Sequence, residues 1–149
     1  MNIAALEWIP KALSPNARPH YMAKHKAVRA YRAMAYYRGA GGKRLQNPFC
    51  AVLPIVTTRR RRDLDNVLAG LKSAFDGFSD AGWWSDDSAI KGFHLVPEQY
   101  CPQLVSNLII VLADEDERQN EIAQAVAVLR GACETSNLWA AIGKYQREQ

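Results

Sequence analysis

The sequence predicts an α/β (α+β) domain, a mixed β-sheet of about four strands with helices packed against it. Three observations carry that prediction. Apolar, β-rich runs recur at residues 2–9, 48–58, 90–98 and 104–113. Helical spacing fills the intervals at 22–38 and 65–78 and returns after 114. The chain has 149 residues, 48% hydrophobic and 23% charged, which suits one domain with its own core.

Residues 2–9 form the first strand, ended by Pro10. Pro15 and Pro19 keep residues 14–20 from being helical throughout, so this stretch reads as an ordered loop. Arg18 and His20 lie in it, as phosphate contacts or as a polar turn. Residues 22–38 are predicted helical. Met22, Ala23, Ala27, Ala30, Tyr31, Met34 and Ala35 are its apolar members, with Lys24, Lys26, Arg29, Arg32 and Arg38 turned outward. His25 belongs to that polar face, and Tyr31, Tyr36 and Tyr37 read as packing residues. A basic helix with interleaved aromatics favours nucleic acid over membrane, because Lys and Arg meet phosphates while Tyr can stack.

Residues 39–47 hold three glycines with Lys43 and Arg44 and read as a flexible basic loop. The run FCAVLPIV within 48–58 is a strand whose Pro54 argues for an edge or a bulge. Leu68, Leu71, Phe75 and Phe78 mark one helix, with Asp65 or Asn66 as its cap. Trp83 and Trp84 are core or dimer contacts, residues 90–98 a strand, and LVSNLIIVLA at 104–113 a central strand. The acidic run DEDE at 114–117 starts a helix whose stripe is Ile122, Val126, Leu129 and Cys133. A short helix with Trp139, Ile142 and Tyr145 follows.

Charge is divided unevenly. Residues 1–62 carry 13 Lys or Arg against the single acid Glu7, a balance of +12, whereas residues 63–149 carry 6 against 14, or −8. A basic first part predicts a polyanionic partner, and the sign changes at Asp63. Cys50, Cys101 and Cys133 are odd in number and lack CxxC spacing, which argues for a reducing compartment and against a zinc site. No apolar run approaches the length of a membrane span, and there is no GxGxxG or GKS/T phosphate loop. The expectation is a cytoplasmic protein with no membrane partner and no organic cofactor.

The densest stretch for chemistry is residues 59–87, RRRRDLDNVLAGLKSAFDGFSDAGWWSDD. Four arginines run into Asp63 and Asp65, whose i, i+2 spacing lets both carboxylates reach one ion. A second acidic pair, Asp86 and Asp87, closes the stretch. Hard oxygen donors without nearby His or Cys favour Mg²⁺, with Mn²⁺ as substitute. Such a site beside cations fits phosphodiester hydrolysis. Lys72, two helical turns past Asp65, can neutralise charge on a phosphate or fix the attacking water. Asp76 and Asp80 read as solvated acids.

The motifs RRDLDN (61–66), KSAFD (72–76) and AGWWSDD (81–87), together with SPNARPHY (14–21), resemble the RusA family of Holliday junction resolvases, common in phages and prophages. The resemblance covers roughly residues 3–113. It implies a homodimeric, metal-dependent, structure-selective DNA endonuclease that resolves four-way junctions in recombination and repair. By position it implies catalytic Asp63, Asp65, Asp87 and Lys72, with the three aspartates holding metal. The segment between DLDN and the lysine is longer here by about one helical turn. The DNA-binding candidates are Arg18, Lys24, Lys26, Arg59, Arg60, Arg61 and Arg62. Residues 1–113 are then the RusA-like core and 114–149 a C-terminal helical extension on the same domain. The alternatives are a non-catalytic branched-DNA-binding module, or a nuclease acting on flaps, forks or RNA.

Overall fold

A computed structural model describes residues 1–60, 62–85, 87–104, 107–114, 119–135 and 137–147. The apolar runs pair into a mixed sheet in which β1 (Asn2–Glu7), β5 (Asn107–Asp114), β2 (Pro48–Val56) and β3 (Gly92–Leu95) lie side by side. A fifth strand, β4 (Gln99–Tyr100), continues β3's place along β2, so the sheet has five described strands rather than about four. β5 is antiparallel to both β1 and β2, whereas β3 and β4 run parallel to β2. Hence β1, β2, β3 and β4 all point one way, and the C-terminal ends of β1, β2 and β4 share one edge of the domain. The continuous apolar run in β5 is explained by its central place between β1 and β2.

β2 is an interior strand despite Pro54, contrary to the edge expectation. The register supplies the reason. Val52 and Val56 carbonyls accept from Val96 and Cys101 on the β3–β4 side, so by alternation the nitrogen of Pro54 faces that side too. There the neighbouring strand is interrupted between Leu95 and Gln99. The missing N–H falls where no ladder bond is needed.

Alternation along the strands feeds two cores, one on each face. Ile3, Ala5, Leu53 and Ile55 pack against Ile122, Leu129, Leu138 and Ile142 of α4 (Gln119–Glu134) and α5 (Leu138–Arg147). Ala4, Leu6, Cys50 and Val52 pack against α1 (Tyr21–Gly39), α2 (Leu64–Gly70) and α3 (Lys72–Asp80), with Trp83 and Trp84. The C-terminal helices therefore pack on the face of the sheet opposite α1, α2 and α3. Asp114 ends β5 instead of opening a helix, and its carboxylate accepts from the Gln46 and Asn47 amides at 2.7 and 2.9 Å. Residues 115–118, the rest of the acidic run, lie outside the described residues. Cys50, Cys101 and Cys133 are buried and form no disulfide among the described residues. Among the described residues no helix is long and apolar enough to cross a membrane.

Tyr31 anchors α1 to the end of β1, its hydroxyl donating to the Glu7 carbonyl at 2.9 Å. Burial, and secondarily the charge on Glu7, pushes the Tyr31 phenol well up, and burial does the same to the Cys50 thiol. Both groups stay protonated in the folded chain at pH values where the unfolded chain ionises. Their contribution is therefore complete below the ordinary values of 9.0 for the thiol and 10.0 for the phenol, and is lost as pH rises above them. Each group then costs about 1.4 kcal/mol of stability per pH unit. Denaturant unfolding between about pH 8 and 11 is expected to show this fall. Tyr31→Phe should flatten the part above the phenol's ordinary value, after a constant loss of about 1 kcal/mol for the hydrogen bond. An unchanged slope in that variant would exclude the phenol as a cause.

Candidate active site

The stretch that joins β2 to α2 leaves the sheet at the shared C-terminal edge of the parallel strands, where ligands commonly bind in α/β sheets. Asp63 is in extended backbone and is the N-cap of α2, in place of the expected Asp65 or Asn66. Its Oδ1 accepts from the Asp65 amide and its Oδ2 from the Asn66 side-chain amide, both at 3.1 Å. Asp65 is the second residue of the helix. Both carboxylates are exposed, and with Arg62 and Leu64 they line one open depression. The structure thus brings Asp63 and Asp65 to a common solvent-facing surface. Each Asp63 oxygen uses one lone pair in the cap and keeps another outward-capable, which suits hard-cation binding.

The expected continuous helix breaks at Leu71, which is both the C-cap of α2 and the N-cap of α3. Lys72 begins a second helix and is exposed. It is not two turns along the same face as Asp65, because the helix relating them is interrupted. Asp87 opens a 3-10 turn (Asp87–Ala89), while Asp86 and the Asp87 side chain lie outside the described residues. Among the described residues no three His, Cys, Asp or Glu side chains cluster as a metal site.

The arginine run divides by role. Arg59 and Arg60 are exposed, and the Arg59 guanidinium stands 4.9 Å from the Tyr100 ring centroid. Arg61 lies outside the described residues. Arg62, expected to meet DNA, turns back on the chain. It donates to the Thr58 and Arg60 carbonyls and the Thr58 hydroxyl, pairs with Glu98 at 3.7 Å, and lies 5.1 Å from the Trp8 ring centroid. It braces the turn that presents Asp63, leaving Arg59 and Arg60 as the outward described cations.

Arg18, Lys24 and Lys26 are all exposed. His20 caps α1, its Nδ1 accepting from the Met22 amide at 3.3 Å. The inward set expected for α1 is only partly inward. Tyr31 and Ala35 are buried, but Met22 is 63% exposed and Tyr37 75%, with Tyr36 also exposed. For Met22 the reason is geometric, because the first turns of α1 project past the end of β1, where Tyr31 meets Glu7; Tyr36 and Tyr37 directly follow buried Ala35 and so turn off the inward stripe. Asp80, read as a solvated acid, makes a bidentate pair with Arg32 at 2.6 and 2.8 Å, and that pairing lowers its pKa. Both partners remain largely exposed, so the pair contributes little.

No protein-family model matches the chain. Over 88 residues it is 39% identical to an uncharacterized protein of Xylella fastidiosa strain Temecula1. The similarity takes in 54% of this chain and 58% of that protein, so the chain spans little more than half the length of the curated relative it matches.

Proposed function

We propose that this chain is a Mg²⁺-dependent, structure-selective DNA endonuclease of the RusA type that acts as a homodimer on four-way junctions. The observation that carries the reading is the surface shared by Asp63 and Asp65, braced by Arg62 at the C-terminal edge of the parallel strands. The DxD pair is held open to solvent and flanked by outward Arg59 and Arg60. Asp87, placed with them by the family motif, would complete the ligand set. Bound there, Mg²⁺ would lower the pKa of the attacking water and offset charge at the phosphate.

The remaining work belongs to the chain. Water adds to phosphorus, one P–O bond of the backbone breaks, and the leaving oxygen takes up a proton. Arg59 and Arg60 hold the flanking phosphates as charge-assisted donors. Lys72 neutralises charge that grows on the non-bridging oxygens. A two-fold dimer matches the two-fold junction, so opposed strands receive symmetric nicks.

Synthetic four-way junctions, incubated with the protein beside matched duplex, flap and fork DNA, test this directly. Paired nicks in the junction that require Mg²⁺ and vanish in EDTA are expected. Junction binding without a metal-dependent nick would reassign the chain as a binding module. Preferred cutting of flaps, forks or RNA would keep the site and change the substrate.

A further inference from the structure

The residues 39–44, read from sequence as a flexible basic loop, are seated firmly at the opposite end of the sheet from Asp63. The Asn2 side chain clamps Lys43 twice, donating to its carbonyl at 2.7 Å and accepting from its amide at 3.0 Å. The Trp83 indole donates to the Gly39 carbonyl at 2.6 Å, and the Leu45 amide donates to the Trp83 carbonyl at 2.7 Å. A Cβ on Gly42 would fall 2.1 Å from the Trp83 nitrogen, so the backbone there lies hard against the indole. Gly41 has φ +84°, the left-handed region open to glycine. The result is a cavity of about 440 Å³ bordered by Tyr37, Arg38 and Lys43, with Arg44 exposed beside it.

The register gives the separation. Asn2 and Cys50 both pair with Leu112, while Glu7 and Ile55 both pair with Asn107. The clamped loop is therefore about 17 Å of strand from the level of Ile55, and Asp63 lies beyond that. α1 joins the two ends. Its 19 residues extend about 28 Å, about eight base-pair steps along a duplex. Lys24, Lys26 and Arg29 are exposed on its first half and Arg38 near its end. Glu7 is the sole acid in the first 62 residues, and the acids that reach α1 from α3 are Asp80, paired with Arg32, and Asp76 beside it.

Resting on the nuclease reading above, we infer that Arg38, Lys43 and Arg44 form a second, distal phosphate anchor, which holds a duplex arm lying along α1 while its junction end meets the acids. The partner is double-stranded DNA backbone rather than a lipid surface, because the cations stand on a preformed polar loop spaced at duplex length from the acids. Lys43 meets Asn2 through its backbone, so replacing its side chain spares the clamp.

The test compares hairpin-capped four-way junctions with arms of about 6 and about 16 base pairs, short and long against the reach of α1, bound in EDTA across a salt series. For the wild-type chain the long-armed junction should give a slope of log Kd against log salt steeper by about 2 to 3. The triple variant Arg38→Gln, Lys43→Gln, Arg44→Gln should bind both junctions with the same, shallower slope. Equal wild-type slopes, or an unchanged slope in the triple variant, would overturn the anchor, as would a variant that loses binding to anionic phosphatidylserine vesicles alone. Nicking of the same junctions by the wild-type chain in Mg²⁺ is scored in parallel. Nicks with equal slopes remove the anchor and spare the nuclease, whereas unequal slopes without nicks keep the anchor and remove the nuclease.

Discussion

Asp65→Asn is expected to slow junction cleavage by roughly 10²- to 10³-fold, the loss of several kcal/mol of metal-borne stabilisation. Junction binding should be as tight as in the wild type or tighter, because one negative charge leaves the surface proposed to face phosphate. Asp65 is the cleaner of the two positions to change. Its side chain is exposed, so the substitution should leave the unfolding midpoint within about 0.5 kcal/mol of the wild type. Asp63 is different, because its carboxylate caps α2 through the Asp65 amide. Asp63→Ala should therefore lose about 1 kcal/mol of stability along with activity, while Asp63→Asn keeps a competent cap and loses activity alone. Single-turnover cleavage of a labelled junction, paired with gel-shift binding in EDTA, separates these effects. A variant Asp65→Asn that cuts at the wild-type rate would remove the carboxylate from the mechanism.

How much of this was legible in the sequence depends on the range of the interaction involved. The strands and long helices follow from periodicity, a local property, and β5's central place follows from its apolar run. What local pattern missed depends on neighbours distant in sequence. Pro54 is tolerated in an interior strand because a parallel partner happens to be interrupted beside it. Tyr36 and Tyr37 carry the same apolar signal as Tyr31, yet only Tyr31 reaches β1. The break at Leu71 has no proline or glycine at the break itself; Gly70 precedes it, with its backbone against Ile9, where a Cβ would lie 2.8 Å away. In the site, a common surface for the two acids was readable from the i, i+2 spacing in DLDN, whereas their exposure was not. The inward turn of Arg62 was not, because four consecutive arginines look alike until Glu98 and Trp8 select one of them. The glycines at 39–42 looked like freedom and are instead a close fit, since absence of a side chain serves both.

The largest loss of stability is expected from Phe78→Ala. Phe78 is fully buried, stacks on Trp83 with ring centroids 4.3 Å apart, and meets Trp84 edge-on at 6.2 Å. Removing a buried phenyl ring costs about 3–5 kcal/mol through lost transfer energy and the cavity left behind. The stacked partner adds about 0.5–1.5 kcal/mol. Rearrangement cannot easily refill the space, because α1 and α3 already touch through Gly77, where a Cβ would sit 2.3 Å from the Arg32 carbonyl. With helices that close, neither can move inward. Denaturant unfolding should show the midpoint falling at an unchanged m-value, and a loss under about 1 kcal/mol would mean the core collapses around the deletion. The consequence reaches the surface as well. Trp83 donates to the Gly39 carbonyl through its indole and lies against Gly42, so loosening it should free the loop that bears Lys43. Hydrogen exchange at the Lys43 and Leu45 amides, both bonded in the wild-type chain, should rise in Phe78→Ala well before global unfolding. Exchange there that tracks global unfolding alone would show that the loop is held by Asn2 without help from the aromatic stack.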